Sequence, residues 1–160
     1  MKKGFTLIEM AVVLLVIGTL AGIVLRNIGG QSAMARDTRR LGDLRNTANY
    51  LATYLAKFGY FPTSSTWEEL ETALRNAQIT DRLPRDPSGR TYDYWACTDN
   101  GQDANHFVLR ATLEQTASSA PRLWETAASS VPWQCWISGG WNNFDSNNCS
   151  PASRNYCLIQ

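Results

Sequence analysis

The sequence predicts an α+β protein in which a long N-terminal helix, its first half of membrane-spanning length, packs on a small antiparallel sheet. Three observations carry this. Phe5 to Leu25 is an apolar run of 21 residues whose only ionisable side chain is Glu9, and at ~1.5 Å per residue it spans the ~30 Å hydrocarbon core of a bilayer. From Leu41 the apolar residues Leu41, Leu44, Ala48, Leu51, Leu55 and Phe58 recur at steps of three and four, a helical stripe that faces something apolar. Beyond Gly59 the chain breaks into short β-rich segments separated by Gly, Pro and Asn, and Cys97, Cys135, Cys149 and Cys157 all lie there.

The first element is defined by its charges. Lys2 and Lys3 precede Gly4, and Glu9 follows within the apolar run. A carboxylate in hydrocarbon costs several kcal/mol, so it marks a site whose partner must be named. Cleavage after Gly4 would make Phe5 an amino terminus about one helical turn from Glu9. An ordinary secretory signal, cut after its apolar core at small residues, finds only Ala21-Gly22 here. A plain transmembrane anchor gives no reason for Glu9. The run Met1-Lys2-Lys3-Gly4-Phe5-Thr6-Leu7-Ile8-Glu9-Met10 resembles the prepilin signal of the type IV pilin and type II secretion pseudopilin family.

That resemblance implies a lollipop-shaped fold and a defined pathway. A prepilin peptidase cuts between Gly4 and Phe5 and N-methylates Phe5, and the subunits pack by their helices into a homo-oligomeric filament. Glu9 neutralises the Phe5 amine of a neighbouring copy and sets axial register. An inner-membrane platform protein and an assembly ATPase are the implied partners. The implied location is a single-pass inner-membrane protein with a cytoplasmic N-terminus, which becomes a periplasmic or extracellular filament. Charge counting is less decisive about orientation, because Arg26, Arg36, Arg39 and Arg40 follow the apolar run on the side to be exported.

The elements divide the chain into a leader, 1–4, a transmembrane or filament-core helix, 5–25, a continuation packed on the globular part, 26–58, and that globular part, 59–160. Lys57 in the last turn, Gly59 and Pro62 end the helix, so residues 5–58 form one helix about 80 Å long. Gly18, Gly22, Gly29 and Gly30 interrupt it, each costing about 1 kcal/mol against Ala; Gly29-Gly30 is the expected hinge, and close helix packing equally accounts for Gly18 and Gly22. Many type IV pilins carry a proline where Arg26 stands here. Ser65-Thr66-Trp67-Glu68 opens a short surface helix with Leu70, Ala73, Leu74 and Ala77 on one face.

Strands are expected at Thr91–Cys97, His106–Leu113, Trp133–Ile137 and, at an edge, Tyr156–Ile159. Thr116–Ser130 reads as a loop, and Ser138–Asn155 as irregular and pinned by disulfides. Pro84, Asp86-Pro87, Gly89, Tyr92 and Tyr94 resemble the P-x-D-P-x-G-x-x-Y-x-Y pattern that follows the helix in major pseudopilins. Four cysteines without a C-x-x-C pair fit disulfides in an oxidising compartment, and three connectivities are open. The expectation is Cys149 with Cys157 and Cys97 with Cys135; a short C-terminal loop so closed resembles the disulfide-bounded segment of many type IV pilins.

Other constellations have simpler readings. With 15 Lys+Arg against 14 Asp+Glu the formal charge is +1; loss of Lys2 and Lys3 leaves 13 against 14, or −1, and suggests no polyanion partner. Arg36, Arg39, Arg40 and Arg45 offer a patch for DNA, but Asp37 and Asp43 interrupt it, and pairing with acidic groups in a filament is the more ordinary account. Asp99 and Asp103, in Asp99-Asn100-Gly101-Gln102-Asp103, are a calcium candidate suggested by the pseudopilin resemblance; a solvated turn accounts for them better, and no cofactor is otherwise implied. His106 is the only histidine, which excludes a multi-histidine metal centre. Glu68, Glu69 and Glu71 read as a charged, solvated helix face, so no catalytic residue is expected and a non-enzymatic role is the expectation. Of the six tryptophans several are expected in the core; the cluster Trp133, Trp136, Trp141 and Phe144 is alternatively a contact surface, for a subunit first and for a sugar or substratum otherwise.

The expected function is a structural subunit of a type IV pilus-like filament. The alternatives are a major-type pseudopilin that drives protein export through a type II secretion system, and a membrane-anchored DNA- or glycan-binding module that does not polymerise.

Overall fold

The apolar N-terminal run and the apolar stripe fall on one helix, α1, Leu7–Phe58. The computed structural model describes the backbone of residues 6–128, 133–137 and 139–160, and the side chains of these apart from 24–30 and 146. Two units divide at Ala33 and Met34, and α1 contributes to both.

Over residues 7–23 of the first unit α1 is apolar around most of its circumference and uncovered: Leu7, Ile8, Leu14, Leu15, Leu20 and Ile23 are all more than half exposed. The Thr19 hydroxyl donates to Val16 O at 2.8 Å, which satisfies it within the helix. No helix among the described residues is long and apolar enough to cross a membrane. The described side chains of this apolar stretch end at Ile23, short of Val24 and Leu25.

In the second unit the stripe does what its spacing dictates. Leu41, Leu44 and Leu51 are buried in one cluster with Tyr94, Ala96, Phe107, Leu109, Ala111 and Tyr156 of the sheet, and each fully buried leucine is worth about 1.5–3 kcal/mol. Gly59, at φ +81°, donates to Leu55 O at 2.7 Å and closes α1 in the left-handed conformation glycine adopts without strain. Lys57 Nζ donates to Ala77 O at 2.7 Å, joining this end to α2, Trp67–Asn76. Thr66 caps α2 by accepting from Glu69 N at 3.1 Å, and Glu69 Oε2 accepts from Ser65 N at 2.8 Å.

The sheet has five antiparallel strands: β1 Asp93–Thr98, β2 His106–Thr112, β3 Gln134–Ile137, β4 Gly140–Asn143 and β5 Asn155–Ile159. Their order is β4-β3-β1-β2-β5. Successive side chains point to opposite faces. Phe107, Leu109 and Ala111 of β2 therefore face the α1 side, while Val108 joins Cys97, Cys135, Phe144, Cys149 and Cys157 on the other. Both faces are covered, which is why β2 lacks the polar alternation of a half-exposed strand. Disulfides join Cys97 to Cys135 across the β1–β3 pair and Cys149 to Cys157 in the middle of β5.

Two stretches differ from the sequence reading. The segment expected as a loop contains a one-turn helix, α3, Pro121–Trp124, because Pro121 pre-sets the helical φ and Leu123 and Trp124 bury against the core. The stretch expected to be irregular contains β4 and two 3₁₀ turns, Ser146–Cys149 and Pro151–Ser153. Gly139, at φ +84°, lets the chain reverse, and Trp141 returns opposite Trp136 with ring centroids 5.2 Å apart, an aromatic cross-strand pair that favours the hairpin.

Candidate functional site

Two sites hold charge away from water or next to a surface that must leave it. The first is the start of α1. Thr6 N and Thr6 Oγ1 both donate to Glu9 Oε2 at 2.8 Å, and Glu9 N donates to Thr6 Oγ1 at 3.3 Å. This is a capping box: the residue before the helix and the third residue within it satisfy each other's backbone donors. Its consequence is orientation. The carboxylate folds back toward the helix N-terminus. The T-x-x-E spacing was legible in the sequence and was overlooked beside the prepilin motif. Gly4 and Phe5, the expected cleavage and methylation positions, lie outside the described residues.

The second site is a buried ion cluster in the C-terminal unit. Arg40, immediately before the apolar stripe, has no exposed surface. Its guanidinium grips Asp86 with two bonds, Nε to Oδ2 at 2.5 Å and Nη2 to Oδ1 at 3.1 Å. Nη1 meets Asp37 Oδ1 at 2.6 Å and Glu114 Oε1 at 2.9 Å, and Nη2 donates to Ser88 Oγ at 2.7 Å. Asp37, also without exposure, accepts from the backbone N–H groups of Glu114 and Gln115 at 2.8–3.1 Å. Arg36 completes the group by pairing with Glu114. Two guanidiniums thus face three carboxylates drawn from α1, the 86–88 turn and the segment after β2.

Electrostatics here follow from burial and pairing. Burial opposes the charge of Arg40, but hydrogen bonds to Asp86, Asp37 and Glu114 outweigh it and hold the group above its ordinary range. Burial likewise raises Asp86, yet the bonds from Arg40 and from Ser88 N leave its carboxyl below the usual value. Hydrogen bonding from Arg36, with a further contribution from Arg40, brings Glu114 down to about 2.

Most residues of the P-x-D-P-x-G-x-x-Y-x-Y pattern have a contact or a backbone role of their own. Pro84 O accepts from Trp67 Nε1 at 3.2 Å, and Asp86 holds Arg40. Gly89 turns at φ +77°, Tyr92 OH donates to Asp43 Oδ2 at 2.8 Å, and Tyr94 OH donates to Pro62 O at 2.8 Å. Every one of these contacts ties the segment to α1, to α2 or to the turn between them.

Several site expectations are corrected. The basic patch proposed for DNA does not exist as such: Arg40 is buried and Arg36 is paired, which leaves Arg39 and Arg45 exposed. The acidic face of α2 is not wholly solvated, because Glu71 is buried and accepts from Leu83 N at 3.0 Å, Arg75 at 2.8 Å and Arg85 at 3.3 Å. The aromatic surface is divided: Phe144 is buried against Trp95 at 5.2 Å, Trp136 and Trp141 pair with each other, and Trp133 stacks on His106 at 3.8 Å. Asp99 accepts from Asn105 Nδ2 at 2.8 Å, and among the described residues no group of three His, Cys, Asp or Glu side chains is placed to hold a metal ion.

Residues 1–25 match the prokaryotic N-terminal methylation motif. The chain is 32% identical over 109 residues to the type II secretion system core protein G of Vibrio cholerae, covering 62% of this chain and 75% of that protein. It is 33% identical over 107 residues to the core protein G of Pseudomonas aeruginosa, covering 59% and 74%. With that of Escherichia coli the identity is 30% over 101 residues, covering 57% and 70%. No solved structure matches.

The ion cluster yields two predictions. Asp86→Ala leaves Arg40 buried without its main partner and lowers the stability of the C-terminal unit by about 3–5 kcal/mol in denaturant unfolding; a loss below 1 kcal/mol contradicts the pairing. For pH, a carboxyl depressed from 4.5 to about 2 stabilises fully above the higher value and progressively less as pH falls toward the lower one. Thermal unfolding in that window therefore declines less steeply in Glu114→Gln than in the parent chain, and identical slopes contradict the account.

Proposed function

We propose, because this chain belongs to the family of the type II secretion system core protein G, that it is a major-type pseudopilin: a non-enzymatic filament subunit that moves exported proteins through a type II secretion system. The observation that supports this most is the start of α1, where an uncovered apolar circumference surrounds one carboxylate aimed at the helix N-terminus. Unpaired apolar surface around most of the helix suits a lipid bilayer before assembly and a bundle of like helices afterwards.

The proposed mechanism uses that arrangement. A prepilin peptidase cuts between Gly4 and Phe5 and methylates Phe5. The freed amine of one copy meets Glu9 of the next, so that both charges are neutralised inside the apolar bundle and the axial offset between copies is fixed. A platform protein and an assembly ATPase in the inner membrane add subunits, and the C-terminal units form the outside of a periplasmic filament.

This reading replaces the pilus subunit that the sequence first suggested. The relatives with substantial coverage are secretion core proteins, and the 84–94 contacts account for the major-pseudopilin pattern. The C-terminal cysteines, which favoured a pilus, are compatible with either.

Deleting the gene in its host tests the assignment. A secretion pseudopilin predicts exported proteins trapped in the periplasm with surface fibres unaffected, whereas loss of fibres with normal export overturns it. In the same host, Glu9→Ala is expected to reduce export at least tenfold while the chain still accumulates and still begins at methylated Phe5 by mass spectrometry. Normal export by Glu9→Ala contradicts the register mechanism.

A further inference from the structure

We propose that the C-terminal unit binds a short neutral saccharide in the cavity between the β1–β2 connection and the β3–β4 hairpin. The cavity is about 450 Å³, within the range of roughly 300–1,000 Å³ typical of small-molecule sites. Thr98, Asp99 and Asn100 line it from one side, and Trp133, Gln134 and Asn143 from the other.

The lining selects the ligand by elimination. Among the described residues it contains no lysine or arginine, so a phosphate or carboxylate finds no counter-charge there. Among them Trp133 is the one large apolar side chain, which is too little for a lipid chain, and Asp99 the one carboxylate, which leaves a divalent cation short of hard oxygen ligands. Side-chain amides and one carboxylate beside an indole suit a molecule with many hydroxyls and a flat C–H face, which is a pyranose.

The groups are held ready. The Cys97–Cys135 disulfide pins β1 to β3 directly beside the cavity. Thr98 stands opposite Gln134, and Gln134 stands opposite Asn143. Trp133 is fixed by parallel stacking on His106, with ring planes 4° apart. Asn100 Oδ1 accepts from Thr98 Oγ1 at 2.7 Å and Gln102 N at 3.0 Å, which orients its amide and leaves Nδ2 uncommitted. Among the described residues the side-chain amides of Gln134 and Asn143 make no intramolecular hydrogen bond, and Asp99 uses only Oδ1. Donors and acceptors on a stapled sheet edge therefore remain for a ligand, and ordering costs are small. The site needs neither Glu9 nor polymerisation.

The test uses the full chain in a detergent with a phosphocholine headgroup, which brings no sugar. Saturation-transfer NMR with cellobiose and with N,N′-diacetylchitobiose is expected to show saturable millimolar binding of at least one, and the pair separates plain hexose from N-acetylated hexosamine recognition. Asn143→Ala and Trp133→Ala are expected to weaken binding at least tenfold, with the thermal midpoint of Asn143→Ala unchanged because Asn143 is exposed. Absence of saturable transfer for both sugars overturns the proposal. So does unaltered binding by Asn143→Ala, or a response of residues 98–101 to calcium chloride but to neither sugar.

Discussion

Arg40 reaches no solvent, and its guanidinium is shared among Asp37, Asp86 and Glu114. Apolar contacts between a leucine stripe and a sheet tolerate small rotations and slides, because burial is nearly non-directional. A forked bond to Asp86 tolerates neither. One side chain therefore fixes the rotation and axial position of the second half of α1 against the 86–88 turn and the segment after β2. The desolvation of that charge is repaid only by this complete set of partners. Leu41 and Leu44 follow within one turn and inherit the alignment.

The first half of α1 applies the same constraint with a different solution. In the C-terminal unit every fully buried charge is answered by an opposite charge of the same chain. Glu9 is answered only by the neutral donors of Thr6, and among the described residues it forms no ion pair. That arrangement is adequate in water, where Glu9 stands in this structure. It is inadequate once the surrounding apolar surface is covered. Under the proposed assembly, the terminal amine of a neighbouring copy would supply the positive charge that Thr6 does not.

How much of this was legible depended on range. The α1 stripe, the cap and C-terminal stop of the helices, and the ranges of β1 and β2 rest on local periodicity, β-rich composition and turn chemistry, and they stand where those signals put them within a residue or two. The β4 strand was hidden because Asn and Gly lower local β propensity, and the pairing of Trp136 with Trp141 overrides it. The Pro121–Trp124 turn was hidden in an Ala- and Ser-rich stretch whose burial depends on the distant Tyr156, 6.2 Å from Trp124. The ion cluster was least legible. Asp37 and Arg40 showed an i, i+3 spacing, but Asp86 and Glu114 lie far along the chain, and nothing local distinguishes a buried arginine from a solvated one. Glu71 was misread for the same reason: its partners Leu83 N and Arg85 arrive from the following turn.

The proposed assembly requires Glu9 to stay charged in the filament, neutralised by the Phe5 amine of another copy. Solid-state NMR on filaments grown from a mixture of two labelled pools tests this directly, one pool carrying ¹³C in glutamate and the other ¹⁵N in phenylalanine. The account predicts an ionised Glu9 carboxyl with dipolar coupling to the methylated Phe5 nitrogen between pools. A protonated Glu9, or a coupling found only when both labels sit in the same copy, would contradict it.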